Sequence, residues 1–190
     1  NLNKKNMPLP SKCPLCHVNE KKQSIVSNHV FGDLEKKRAF YRCENCDVVY
    51  QFPSLSKQEE DKFYKEEFEK YMDSRSGDEG GWLGFESHIK ANEETVQRRL
   101  KYLLPNLKNV KTSLELGCSS GFMMYPLMEK GISCTGIEPS GFFSDFLKTK
   151  NIVVYDKIED LISETPDKKF DLIHHYFVLE HIQDPLKFLK

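Results

Sequence analysis

The sequence predicts an α/β fold, a doubly wound and mostly parallel sheet over its second half, preceded by a small metal-stapled module. Three observations predict it. Short apolar strands alternate with helical stretches between Ser113 and Tyr176, a glycine-spaced turn from Gly117 to Gly121 joins the first strand to a helix, and four of the six cysteines form two C-x-x-C pairs. Strands alternating with helices at this spacing imply right-handed crossovers and parallel pairing.

The first segment, 1–55, carries Cys13-Pro14-Leu15-Cys16 and Cys43-Glu44-Asn45-Cys46. Each pair puts two thiolates on a tight turn, so four sulfurs converge on one tetrahedral zinc ion. The competing readings are reduced core cysteines and a thioredoxin-like redox pair; the latter needs a single C-x-x-C after a strand in a βαβ unit. His17 and His29 are alternative ligands, but four cysteines already close a structural site. A closed site has no open position for chemistry, so the predicted metal is a folding staple for a segment too small to hold itself together. Lys36, Lys37 and Arg38 read as the solvated tip of this hairpin, with contact to a substrate phosphate as the alternative.

Residues 56–86 are a helical linker or lid. Phe63, Tyr64, Phe68 and Tyr71 recur at near-helical spacing among Glu and Lys, and Gly77, Gly80, Gly81 and Gly84 crowd into a loop. Tyr64, Tyr71, Trp82 and Phe85 are either an aromatic lid or ordinary core.

The span 87–190 carries the sheet. A helix over Ser87–Leu104 is stopped by Pro105. Strands follow over Ser113–Leu116, Ser133–Ile137, Ile152–Tyr155 and Phe170–Tyr176. Helices lie between them over Phe122–Lys130 (ended by Gly131), Phe142–Lys150 and Ile158–Ser163. Asp184 followed by Pro185 begins a last helix, with an acid at the N-cap and proline at the first helical position.

In Leu116-Gly117-Cys118-Ser119-Ser120-Gly121 the spacing decides between cofactors. A dinucleotide fingerprint, G-x-G-x-x-G, needs its middle glycine where a pyrophosphate touches the backbone, and Ser119 occupies that place. NAD is thus disfavoured. The two glycines suit a compact group near a helix N-terminus. Glu138, directly after the second strand, is placed to accept two hydrogen bonds from a ribose diol.

Glu115-x-Gly117-x-x-x-Gly121, Gly136-Ile137-Glu138-Pro139-Ser140, and Phe170-Asp171-Leu172-Ile173 leading to Leu179-Glu180-His181-Ile182-x-Asp184-Pro185 resemble class I S-adenosylmethionine-dependent methyltransferases. The cysteine pairs, with Tyr64, Phe68 and the stretch Trp82 to Phe85, resemble bacterial members with an N-terminal zinc ribbon, among them sugar C-methyltransferases. The resemblance implies a Rossmann-like fold and S-adenosylmethionine as cofactor. It places Glu115, Gly117 and Gly121 at the methionine end, Glu138 at the ribose, and Asp156, Lys157 and Ile158 beside adenine. Cys118, Ser119, Pro139 and His175 complete the expected cofactor-binding set. The class has a seven-stranded sheet, while four strands precede Lys190, so the sheet is expected to be truncated after the fourth strand and the chain to be a fragment.

Methyl transfer to oxygen or carbon needs a base. His175, Tyr176, Glu180 and His181 lie at or past the end of the fourth strand, where open α/β sheets bind ligands. His181 is the first choice, followed by Tyr176 and Glu180, with a smaller stake on His88. The alternative is that Glu180 and His181 merely satisfy backbone groups as the strand becomes a loop.

Composition narrows the partners. Of 190 residues, 38% are hydrophobic and 30% charged, with a mean hydropathy of −0.59, which fits a soluble core-forming chain. Lys and Arg total 28 against 29 Asp and Glu, so nothing advertises nucleic acid or a membrane. No apolar run spans a bilayer, the N-terminus lacks a signal-peptide pattern, and the expected location is the cytoplasm. The expected activity is methylation of a small molecule, with a nucleotide-linked sugar as the favoured acceptor class. RNA methylation using the ribbon, and a non-catalytic methyltransferase-like binding module, are the alternatives.

Overall fold

A computed structural model of the chain describes residues 7–30, 37–62, 84–182 and 184–190. Two compact units are formed, Asn1–Glu60 with Leu179–Lys190, and Asp61–Val178. Among the described residues, no helix is long and apolar enough to cross a membrane. Lys36, Tyr64, Phe68, Tyr71 and Trp82 lie outside the described residues.

In the first unit, β1 (Gln23–Ser27), β2 (Ala39–Cys43) and β3 (Val49–Phe52) form an antiparallel sheet in that order. Tyr41 faces Ile25 on one neighbour and Tyr50 on the other. It is fully buried, and its hydroxyl donates to the Pro8 carbonyl at 2.7 Å, giving the buried phenol the partner it requires. The other fully buried side chains of this sheet are Ala39 and Cys43, a small apolar core for three strands.

Helix α1 (Lys57–Lys62) starts on a capping box. The Ser56 amide donates to Glu59 Oε2 at 2.7 Å, and the Glu59 amide donates back to Ser56 Oγ at 3.3 Å. Arg38 is not part of a solvated tip: its guanidinium pairs with Glu59 Oε1 at 3.2 Å. The helix expected after Asp184 is α7 (Pro185–Phe188), capped by Asp184 Oδ1 accepting from the Lys187 amide at 3.0 Å.

The second unit has the predicted class. Strands β4 (Thr112–Leu116), β5 (Ser133–Ile137), β6 (Val153–Tyr155) and β7 (Leu172–His175) pair in parallel in the order β6-β5-β4-β7. The chain runs from β4 outward to β6, then returns to β7 on the other side of β4. That reversal is a topological switch point, and ligands of such sheets bind beyond the carboxyl ends of the strands there.

Helices α2 (Phe85–Ala91) and α3 (Glu93–Leu103) replace the single helix expected over Ser87–Leu104. Asn92 causes the break: its side-chain amide donates to the His88 carbonyl at 2.8 Å, competing with the helical ladder. The helix expected over Phe122–Lys130 shortens to α4 (Met124–Met128), with Pro126 in its first turn, where a missing N–H costs least. Helix α5 (Gly141–Thr149) and α6 (Ile158–Glu164) lie within a residue of their expected bounds.

Two helices end in the same way. Gly131 (φ 81°) and Asn151 (φ 56°) are left-handed. The next residues, Ile132 and Ile152, donate to the carbonyls of Leu127 and Leu147 at 3.1 Å and bury their own side chains. This is the Schellman stop with its hydrophobic contact, and it turns each helix into the following strand.

One sheet face, with Cys134 and Val154, packs on Leu100, Met124, Leu127, Phe146 and Leu147. Each fully buried side chain of this kind stabilises the fold by about 1.5–3 kcal/mol. Asp171 ties together the amino-terminal ends of β4 and β7, its Oδ2 accepting from the Lys111 and Thr112 amides at 2.9 and 3.0 Å. Those two donors, the Lys111 amide first, hold its carboxyl below the usual range.

Candidate functional site

The turn after β4 is built from left-handed residues: φ is 67° at Gly117, 51° at Ser119 and 77° at Gly121. A Cβ on Gly117 would lie 2.7 Å from Val178 Cγ2, and one on Gly121 would lie 2.8 Å from Leu147 Cδ2. Gly136, inside β5, is required for a third reason, since a Cβ there would collide with Cys118 Sγ. The turn is thereby drawn over β5, with the Gly117 amide donating to the Ile137 carbonyl at 2.8 Å. Gly117→Ala is expected to lower stability by about 1–3 kcal/mol, measured by thermal unfolding. Adding Val178→Ala should restore the steric part of that loss and leave the backbone part.

Ser119 holds a conformation that costs a non-glycine residue about 1–2 kcal/mol. A charge-assisted hydrogen bond offsets it. The Ser119 amide donates to Glu138 Oε2 at 2.6 Å, and the Ser140 amide donates to Oε1 at 2.9 Å. Glu138 sits at the end of β5, 7% exposed. Burial raises its pKa to about 7 against the opposing pull of those two amides. Each oxygen carries one backbone donor and keeps a second lone pair for a ligand.

Glu115, on β4 directly opposite His174 of β7, is buried and its carboxyl is pushed well up by desolvation. Burial lowers His174 to about 4. Their closest approach, His174 Nδ1 to Glu115 Oε1, is 4.0 Å, too long for a hydrogen bond. Both shifts disfavour the charged forms, and the 4.0 Å spacing leaves the two groups without a hydrogen-bonded ion pair. Glu115 Oε2 and both His174 ring nitrogens have no hydrogen-bond partner among the described residues.

The other expected cofactor residues occupy the same edge of the sheet. Pro139 follows Glu138, and Asp156 follows β6, exposed and accepting from Ser144 Oγ at 2.7 Å. His175 ends β7 opposite Leu116. Tyr176 follows it and lies under the Arg99 guanidinium, 3.9 Å from the ring centroid. Glu180 and His181 fall in a short 3-10 turn, Leu179–His181, of the other unit. Phe85 packs as core, stacked on Phe146 at 4.0 Å.

Sequence reading gave no role to Arg99, His174 or the contact of His88 with Ser120. Arg99 adjoins the buried Leu100 on α3, so its place at the edge of an apolar helix face was a readable signal. The contacts of His174 and His88 depend on strand register and on the break at Asn92, which periodicity does not reveal.

In the first unit the sulfurs of Cys13, Cys16, Cys43 and Cys46 all lie within 4.8 Å of one another. The cross-pair distances are 3.7 Å for Cys13 to Cys46 and 3.6 Å for Cys16 to Cys43. A tetrahedral site with zinc–sulfur bonds of about 2.3 Å has edges of about 3.8 Å. Each pair is closed alike: the amides of Cys13 and Cys43 donate to Val18 and Val48, and left-handed His17 and Asp47 donate back to the two cysteine carbonyls. His17 is thus a turn residue, and neither it nor His29 joins the cluster.

A left-handed turn on the central strand of a parallel sheet, with a buried acid following the next strand, defines a Rossmann-like domain. The chain belongs to the methyltransferase-domain family, which matches residues 87–190. A tRNA U34 carboxymethyltransferase of Nautilia profundicola is 36% identical over 91 residues, 45% of this chain and 30% of that protein. A SAM dependent methyltransferase from Archaeoglobus fulgidus superposes with a TM-score of 0.44 at 25% identity, over 55% of this chain and 47% of that one. The plantazolicin methyltransferase BpumL, solved in complex with SAH, gives 0.45 at 18%, over 68% and 49%. At these TM-scores neither superposition bears on function. The chain spans 30% of the length of the curated relative and about half of each solved chain.

Proposed function

We propose that the chain is an S-adenosylmethionine-dependent methyltransferase acting on a small molecule, with a nucleotide-linked sugar as the favoured acceptor class. The observation that carries the cofactor part is the Ser119–Glu138 contact within a domain of the methyltransferase family. It presents a buried carboxylate, with acceptor capacity to spare, at the switch point of the sheet. Glu138 would hold the ribose diol, Gly117 to Gly121 the methionine end with Cys118, Ser119 and His175 around it, and Asp156 the adenine side. The orphaned Glu115 Oε2 fits a cofactor that brings a hydrogen-bond donor to that end.

When bound, S-adenosylmethionine supplies an electrophilic methyl group. The chain must then orient the acceptor in line and remove its proton. His181 is the proposed base, with Tyr176 and Glu180 as the other candidates. The four cysteines are proposed to hold a structural zinc ion, on the sulfur spacing above. Thiols kept as metal ligands suit a reducing compartment, and the cytoplasm is the proposed location.

The acceptor class rests on the subfamily resemblance of the cysteine pairs and on the net charge of −1, which lacks the basic excess of an RNA binder. The tRNA-directed name of the curated relative favours a second reading, an RNA acceptor. Incubation with methyl-labelled S-adenosylmethionine, nucleotide-linked sugars and bulk tRNA separates the two. Label in the sugar fraction supports the first reading, and label in tRNA alone supports the second.

A further inference from the structure

His88 lies on α2, ahead of the strand-turn-helix unit that forms the cofactor turn, yet its Nδ1 is 2.8 Å from Ser120 Oγ. Ser120 is fully buried. The imidazole packs against Phe122 and Phe143, with ring centroids 5.7 and 5.2 Å apart, and burial lowers its pKa. A neutral imidazole and a hydroxyl can always pair, one donating and the other accepting. The helix is fixed beside the turn by Phe85, which stacks on Phe146 with an interplanar angle of 9°.

We propose that His88 is a positioning residue for the cofactor turn: by holding Ser120 it keeps Ser119 left-handed, with its amide aimed at Glu138. The neighbouring residues form a continuous chain, from His88 Nδ1 to Ser120 Oγ, along the backbone to Ser119, and from its amide to Glu138 Oε2 at 2.6 Å. A serine at φ 51° has wider conformational choices than the strained one it holds, and the Glu138 contact alone acts on one end of the dipeptide. Anchoring Ser120 fixes the other end. The consequence for affinity rests on the cofactor reading above; the geometry of the clamp does not.

Two substitutions separate a clamp from plain packing. His88→Phe keeps an aromatic ring among Phe122 and Phe143 and removes the hydrogen bond, whereas His88→Asn keeps a polar group at the position of Nδ1. Amide hydrogen exchange of Ser119 is measured in the free protein, with Leu114 in the central strand as the internal reference, alongside titration with S-adenosylhomocysteine. In His88→Phe, Ser119 should exchange about five- to tenfold faster with Leu114 unchanged, and affinity should fall by a similar factor. His88→Asn should recover both, and Ser120→Ala should match His88→Phe without adding to it in the double variant.

Unchanged Ser119 exchange in His88→Phe, or equal acceleration at Leu114, would overturn the proposal. If the unaltered chain binds no S-adenosylhomocysteine while Ser119 exchange still responds, the cofactor reading fails and the clamp stands.

Discussion

Replacing Glu138 with alanine is expected to weaken S-adenosylhomocysteine binding by about two to four orders of magnitude, since two hydrogen bonds to a charged acceptor are worth about 1.5–3 kcal/mol each. The same substitution strands the Ser119 and Ser140 amides that the carboxylate now accepts from. The pH dependence carries a second signature. Burial raises the Glu138 pKa from 4.5 to about 7, so between those values the native state binds more protons than the unfolded chain. Stability therefore falls as pH rises through that window, by about 3 kcal/mol. Ligand affinity runs the other way, because a ribose diol donates to the ionised form. Binding should tighten as pH rises through about 7, and Glu138→Gln should flatten that dependence. Calorimetric titration across the range measures both.

Stripping zinc from the metal-loaded chain is expected to unfold the β1–β3 sheet. Structural zinc sites contribute about 10–16 kcal/mol in small metal-folded domains, far more than burial of Ala39 and Tyr41 can supply. Tyr41 and Tyr50 stand 6.3 Å apart within this sheet, and their near-ultraviolet circular dichroism should vanish as a chelator removes one zinc per chain. Cys43→Ser should show the same loss without chelator. A sheet that keeps its tyrosine signal after the metal has left would refute a folding role for the cysteines.

The α/β class was readable because its signals are local and repeated. Strand β5 matches its expected bounds, and the glycines that end α4 and open the turn are punctuation that sequence displays directly. The Cys13/Cys16 and Cys43/Cys46 pairs were readable for the same reason, since spacing places the two thiols of each pair on one turn, while their convergence comes from the β1–β2 pairing. What escaped depends on tertiary pairing. Asn92 splits a helix through one side-chain bond to the His88 carbonyl, and periodicity averages over such a residue. The facing of Glu115 and His174 follows from the register of β4 against β7, which single strands do not encode. Ser119 shows the limit of pattern matching at the site: the departure from glycine was visible, but its anchoring by Glu138 and the approach of His88 to Ser120 required the fold.

The turn at Gly117 to Gly121, with Glu138, is proposed as a site for S-adenosylmethionine. This is tested most directly by calorimetric titration of the zinc-loaded chain with S-adenosylhomocysteine and, separately, with NAD. Micromolar binding of the first and none of the second is expected. Binding of NAD, or of neither ligand, would contradict it.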